Sequence, residues 1–254
     1  MLSRAVAVLN AFDATHRDLS ATEIAHRVAM PLSTTHRLLA ELVVHGLLER
    51  HADRYRIGHR MWSLGLLAPV QTGLRDVAAP FLQDVHVATR AVVHLVVRDD
   101  TSALYLERVS GHLVLPPISK AGSSLPLHAT AAGKVLLAHA PPAVLERVLG
   151  DLRRMTPYTV THVGRLREQL RQVREHGHAT TSEELMVGMS SVAVPVVREM
   201  QADDDGQTPQ VVAALAVVLP RLGGQRQRYV STLQVAARGI GRQLGPVTPS
   251  LGGS

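Results

Sequence analysis

Ser33, Thr34 and Arg37 stand at positions i, i+1 and i+4 of the stretch Ser33-Thr-Thr-His-Arg-Leu-Leu39. On a helix they share one stripe, while Leu38 and Leu42 point the other way. Small hydroxyls and a guanidinium on an exposed stripe can reach phosphate oxygens and base edges in a major groove. A second basic group follows at once. Arg50, Arg54 and Arg56 flank the turn His51-Ala52-Asp53, suited to phosphates or to a minor groove. No comparable set supports catalysis. The chain has no cysteine, which excludes disulfides, thiolate zinc sites and cysteine nucleophiles. Glu183 and Glu184 are neighbours, and neighbours on a strand face opposite sides, so they cannot flank one substrate. Lys134 lies in Ala-Gly-Lys-Val, where a phosphate loop would need glycine at His128 and a hydroxyl at Val135. It is expected to hold loop carbonyls or a carboxylate instead. His128, His176 and His178 lack metal-ligand spacing. The reading is therefore of a non-enzyme with no cofactor and no metal.

The elements that must position these residues are legible around them. Ser20-Ala-Thr-Glu23 is a capping box that opens a short helix carrying Ile24, Ala25 and Val28. Ala29-Met-Pro-Leu32 breaks it, Ser33 is expected to cap the next helix, and Gly46 to end it. Leu47–Arg50 and Arg54–Ile57 alternate as two strands. Helix, short helix, turn, helix and hairpin form a winged helix-turn-helix over residues 1–58. Ser20, Thr22, Ser33, Thr34, Thr35, Arg37, Arg50, Arg54 and Arg56 are its expected DNA contacts. A linker helix is expected over 59–75. Residues 76–245 read as an α+β domain built on an antiparallel sheet. Its first helix spans 76–89, which leaves Pro80 near the first turn. Strands are expected near 92–98, 102–109, 112–116, 178–182, 191–198 and 210–219, with helices near 129–139, 142–148, 162–176 and 225–243. Gln201–Gly206 reads as a solvated hairpin loop, and 246–254 as a disordered tail.

Composition sets the bounds. The chain has 254 residues, 46% of them hydrophobic, which excludes wholesale disorder. The net charge is +6, and residues 1–75 hold nine arginines against six acidic side chains. The excess is denser there than in the remainder, pointing to an anionic partner at that end. The longest apolar runs, such as Val211–Leu219, fall short of the ~18–20 residues that cross a bilayer. With no leader in view, a soluble, cytoplasmic protein is expected.

These residues resemble the IclR-type bacterial transcriptional regulators. The likeness runs through Ser3–Leu9, Ala21–Ala25, Ser33–Leu39, Gly46–Arg50 and Tyr55–Gly58. It continues in Pro126-Leu-His-Ala-Thr-Ala-Ala-Gly-Lys-Val-Leu-Leu137 and in Glu183-Glu184 followed by Gly188–Pro195. Leu32 departs from the family's frequent Lys or Arg at that position. The resemblance implies a GAF- and PAS-like effector domain, and a homodimer or dimer of dimers that reads a pseudo-palindromic operator in double-stranded DNA. It implies regulation of a catabolic or metabolic operon, more commonly by repression. It also implies a ligand pocket at Val114, Leu115, Ala131, Ala132, Thr181, Ser191, Ala216 and Val218. Members that bind small keto acids carry an acid at the Thr181 position and serines at Ala216 and Val218. Their loss here implies a less polar ligand, an aromatic or branched organic acid. The small residues Ala131–Gly133 are read as letting a carboxylate approach a helix N-terminus. The competing reading is a metabolite-binding module or small-molecule enzyme whose winged domain serves protein contacts.

Overall fold

The computed structural model describes residues 2–13, 16–67, 72–111, 119–198 and 210–245. Contacts group the chain into two compact units, Met1–Val70 and Gln71–Ser254. The first unit holds α1 (Leu2–Leu9), β1 (Leu19–Ser20), α2 (Ala21–Arg27), α3 (Leu32–Val44), β2 (Leu48–His51), β3 (Arg54–Ile57) and α4 (His59–Leu67). Its strands order as β1-β3-β2, all antiparallel. Val8, Leu19, Ile24, Leu38, Leu39, Leu42, Leu48 and Tyr55 close one core among helices and wing.

Local chemistry explains the helix ends. The Ser20 amide donates to Glu23 Oε2 at 2.7 Å, and Glu23 N donates back to Ser20 Oγ at 3.3 Å. Both halves of the box are therefore made. The expected cap of α3 is corrected. The capping position is Pro31, Leu32 is the first helical residue, and no side chain caps this end. Pro31 fixes its own extended φ without a donor to lose, so Ser33 is free to stay on the surface. At the other end Leu47 N donates to Leu42 O and Gly46 N to Val43 O, with Gly46 at φ 70°. This is a Schellman closure, and it needs a residue that tolerates the left-handed region.

The second unit holds α5 (Thr72–Thr89), β4 (Val92–Asp99), β5 (Ser102–Val109), β6 (Ser124–Pro126), α6 (Ala131–Ala138), α7 (Pro142–Leu149), α8 (Val163–His176), β7 (Ala179–Ser182), β8 (Ser190–Arg198), β9 (Gln210–Leu219) and α9 (Arg226–Gln243). Six antiparallel strands run in the order β6-β5-β4-β9-β8-β7. Alternation divides the sheet. Val192, Val194 and Val196 of β8, with Leu215 and Val217 of β9, face the core shared with α5 and α9. Ala193, Ala214 and Ala216 face the core shared with α6, α7 and α8. Helices therefore cover both faces, the α+β arrangement expected.

Two boundaries differ from the sequence reading. The linker helix ends at Leu67, and α5 begins at Thr72 rather than 76. Leu74 is buried in the same stripe as Ala78, Leu82 and Val85, and that burial carries the helix upstream. Pro80 consequently sits inside α5 and not in its first turn. The two shortest strands, β1 and β6, have no expectation to match. Two or three residues are too few to show a period. The expected strand at 112–116, the Gln201–Gly206 loop and the 246–254 tail lie outside the described residues. Among the described residues no helix is long and apolar enough to cross a membrane.

Candidate nucleic-acid interface and ligand cavity

In the first unit, α3 turns Ser33 and Arg37 outward and leaves Thr34 half-buried. Among the described residues Arg37 makes no hydrogen bond or ion pair, so its guanidinium is available to a partner. Thr35 is corrected. Its side chain is 0% exposed, and Oγ1 donates to Pro31 O at 3.1 Å. That hydroxyl serves its own helix and lies on the core side. Thr22 is exposed, while Ser20 is occupied by its cap.

The wing arginines are near the surface but already engaged. Arg54 Nη2 donates to Asp18 O at 2.7 Å and to Glu23 Oε2 at 3.1 Å, tying β3 to the start of α2. Arg56 grips Glu49 through Nε and Nη2, at 3.0 and 2.8 Å. Its hydrogen bonds, followed by the His59 amide, hold the Glu49 carboxyl down to about 2. Arg50 Nε donates to Ala52 O at 2.9 Å and lies over the Tyr55 ring. These pairs are solvent-exposed and individually weak, so a phosphate can compete for either arginine.

In the second unit, register brings three of the expected pocket residues into one row. Thr181 pairs with Ser191, and Ser191 with Val218, across β7, β8 and β9. All three line a cavity of about 50 Å³. Tyr105, Ser119, Ala129, Thr130, Leu185, Met186, Met189 and Ser190 complete the lining. Thr181 Oγ1 and Ser191 Oγ are 2.6 Å apart and hydrogen-bonded to each other. Among the described residues the lining is uncharged, combining hydroxyls with the apolar side chains of Leu185, Met186, Met189 and Val218. Ala131, Ala132 and Ala216 are packed into the neighbouring core and are not part of the lining. Val114 and Leu115 lie outside the described residues.

The lining residues absent from the sequence reading had one local signal. Met186 and Met189 straddle Gly188 in a turn, where large apolar side chains are out of place unless they cover something. Gly133 is small for a different reason than expected. A Cβ there would stand 2.3 Å from Leu127 O and 2.5 Å from Thr130 Oγ1. Thr130 Oγ1 caps α6 by accepting from Gly133 N at 2.9 Å.

Beneath the cavity His94 is fully buried on β4, edge-on to Tyr105 with ring centroids 5.0 Å apart. Its Nε2 donates to the Ser119 carbonyl at 3.1 Å, which assigns the proton to that nitrogen. Burial, then the Arg108 charge, push the imidazole down to about 3. Burial lifts Tyr105 to about 12, offset in part by its hydrogen bond with Thr130. The unfolded chain therefore binds a proton at His94 below pH 6.5 that the folded one refuses. Stability from this residue is complete above pH 6.5 and falls as pH drops towards 3, by up to about 1.4 kcal/mol per pH unit. His94→Gln, which keeps a donor for Ser119, is expected to flatten the decline in thermal midpoint between pH 7 and pH 4. An unchanged decline would remove His94 as its source.

Behind the cavity the Lys134 ammonium meets Glu184 Oε1 at 2.6 Å, with the two side chains 1% and 7% exposed. Burial pulls the ammonium below its ordinary range, and Glu184 opposes that pull. Glu183 and Glu184 follow the end of β7 and are not within it, with Glu183 at φ 60°. Among the described residues no cluster of three or more His, Asp or Glu could hold a metal.

Residues 1–52 match the IclR helix-turn-helix domain, and residues 68–242 match the family described as bacterial transcriptional regulator IclR C-terminal. The chain belongs to the IclR family. Among curated IclR relatives, the regulator XynR of Escherichia coli is 33% identical over 199 residues, 77% of this chain and 79% of that protein. KdgR of Escherichia coli is 30% identical, over 90% of this chain and 87% of its own. The repressor AllR of Salmonella typhimurium is 28% identical, over 98% and 91%. Among solved IclR structures, a homologue from Microbacterium hydrocarbonoxydans complexed with 4-hydroxybenzoate is 35% identical. It superposes with a TM-score of 0.83 over 96% of this chain and 98% of that one. The IclR protein of Thermotoga maritima is 27% identical with a TM-score of 0.72, over 96% and 98%. The chain is thus an IclR-type, DNA-binding transcriptional regulator, and these relatives are named as regulators, not enzymes.

Proposed function

We propose that this regulator represses a catabolic operon as a homodimer or dimer of dimers, and that a small, weakly polar organic acid relieves repression. The observation that carries the effector class is the uncharged cavity lining, with Leu185, Met186, Met189 and Val218 beside a set of hydroxyls. Both classes carry a carboxylate, but only an aromatic or branched acid has apolar surface to set against walls of leucine, methionine and valine. The complex of the Microbacterium relative with 4-hydroxybenzoate supports the same class. The capped first turn of α6 begins at Thr130 on the cavity wall and adds a partial positive charge for a carboxylate.

On the DNA side, Ser33, Thr34 and Arg37 make the groove contacts, and Arg50 and Arg56 reach phosphates. Thr22 adds a backbone contact. Arg54 acts mainly as the bond between wing and α2. Two such units in a symmetric dimer read two half-sites. Effector binding changes operator affinity by its difference in affinity for the two states. Acting on chromosomal DNA places the protein in the cytoplasm.

Selection of bound sequences from random duplexes by the purified chain is expected to enrich one inverted repeat. The selected duplex should then be released by 4-hydroxybenzoate or a branched-chain acid. Binding without enrichment that vanishes at moderate salt would leave only a basic surface. The metabolite-binding module would then be the better reading.

A further inference from the structure

We infer that the buried Lys134–Glu184 pair is a positioning device that joins two walls of the cavity and so sets effector affinity. This rests on the proposed ligand cavity. One wall is the start of α6, where Thr130 lines the cavity and Lys134 follows one turn later. The opposite wall is the turn 183–189, which supplies Leu185, Met186 and Met189. Glu184 opens that turn, so the ion pair ties the start of α6 to the turn without itself lining the cavity.

Leu185 packs against the core that includes α6, and the turn's other polar ties are few. Thr156 Oγ1 donates to Glu183 O at 2.6 Å, and Thr159 Oγ1 to Glu184 O at 2.7 Å. Glu183 N donates to Met189 O at 2.7 Å and closes the loop ends. Gly188 N donates to Glu183 Oε2 at 2.9 Å. Every one of these bonds is internal to the turn or reaches the 156–159 segment. Among the hydrogen bonds of the described residues, only Lys134 Nζ to Glu184 Oε1 connects the turn to α6.

A buried ion pair is an expensive way to pack a core, and an apolar pair of similar volume often serves stability as well or better. What an apolar pair lacks is a fixed direction. The ammonium holds Glu184 Oε1 at one distance from α6, and the residues that follow Glu184 inherit that register. Three methionine and leucine side chains are thereby presented at a set depth, despite the rotational freedom of methionine.

The test uses the full chain, 4-hydroxybenzoate as probe, and two variants. Lys134→Met removes the ammonium but keeps an unbranched stem. Lys134→Met/Glu184→Leu also removes the stranded carboxylate, which should return the thermal midpoint towards that of the parent. In ligand-free protein, amide exchange of a peptide covering 183–189 is expected to be at least tenfold faster in both variants. The dissociation constant for 4-hydroxybenzoate, by calorimetry, is expected to rise at least tenfold in both. A pair that acts only through stability would give parental exchange and affinity back in the double variant, and that result overturns the inference. Unchanged exchange in folded Lys134→Met overturns it equally. If the parent chain binds no 4-hydroxybenzoate, the ligand reading fails by itself, and the exchange comparison still decides whether the pair holds the turn.

Discussion

Arg37→Ala is expected to weaken operator binding by about 1–3 kcal/mol, or roughly fivefold to more than a hundredfold, if the guanidinium reads a base edge. The side chain is exposed on α3, one turn beyond Ser33, and is engaged by nothing among the described residues. Its loss should leave the core of the first unit intact, because Leu38, Leu39 and Leu42 carry the packing on the opposite side. Titration of the selected duplex at fixed salt measures the effect. Specificity should relax at one position of each half-site. A uniform loss across all sequences, with a shallower salt dependence, would assign Arg37 to a phosphate. Unchanged affinity would overturn the assignment of α3 as the recognition helix.

Val218→Trp is expected to abolish effector response, with at least a hundredfold loss of ligand affinity, while operator affinity stays at the parental value. Val218 lines the cavity, so an indole at this position would take up the space a ligand needs. DNA contacts lie in the other compact unit and should be unaffected. The readout is release of the selected duplex at rising 4-hydroxybenzoate concentration. Normal release by this variant would exclude the cavity as the effector site. Ala132→Trp, by contrast, would strike the core around α6, where Ala132 is 2% exposed, and would test folding before binding.

Legibility in the sequence followed the range of the interaction. The Ser20–Glu23 box and the Gly46 closure are completed within a few residues, and local spacing announces them. The long strands β4 and β9 show as near-continuous apolar runs, because both faces of the sheet are covered. Thr35 stands three, four and seven residues before Leu38, Leu39 and Leu42, so the spacing already places it on the buried stripe, and only its hydroxyl suggests the groove. The true start of α5 was hidden by Gly73 and Pro80, which argue against a helix until Leu74 is seen buried beside α9. Thr181, Ser191 and Val218 come together because two strand registers agree. Ser119, Met186 and Met189 reach the same cavity from loops, where no period exists to reveal them.

The alanine face of the sheet has a consequence for how such a regulator can change its ligand. Ala193, Ala214 and Ala216 lie beneath α6, whose own first residues are Ala131, Ala132 and Gly133. Both sides of this seam are already at minimal size, and Gly133 has no room for even one more carbon. Trimming cannot enlarge the site in this direction, and growth there would unseat the helix. Adaptation to a bulkier or slimmer effector is left to the other lining positions, Leu185, Met186 and Met189 of the turn foremost. Those positions can drift in sequence while the alanine seam remains the fixed half of the mould.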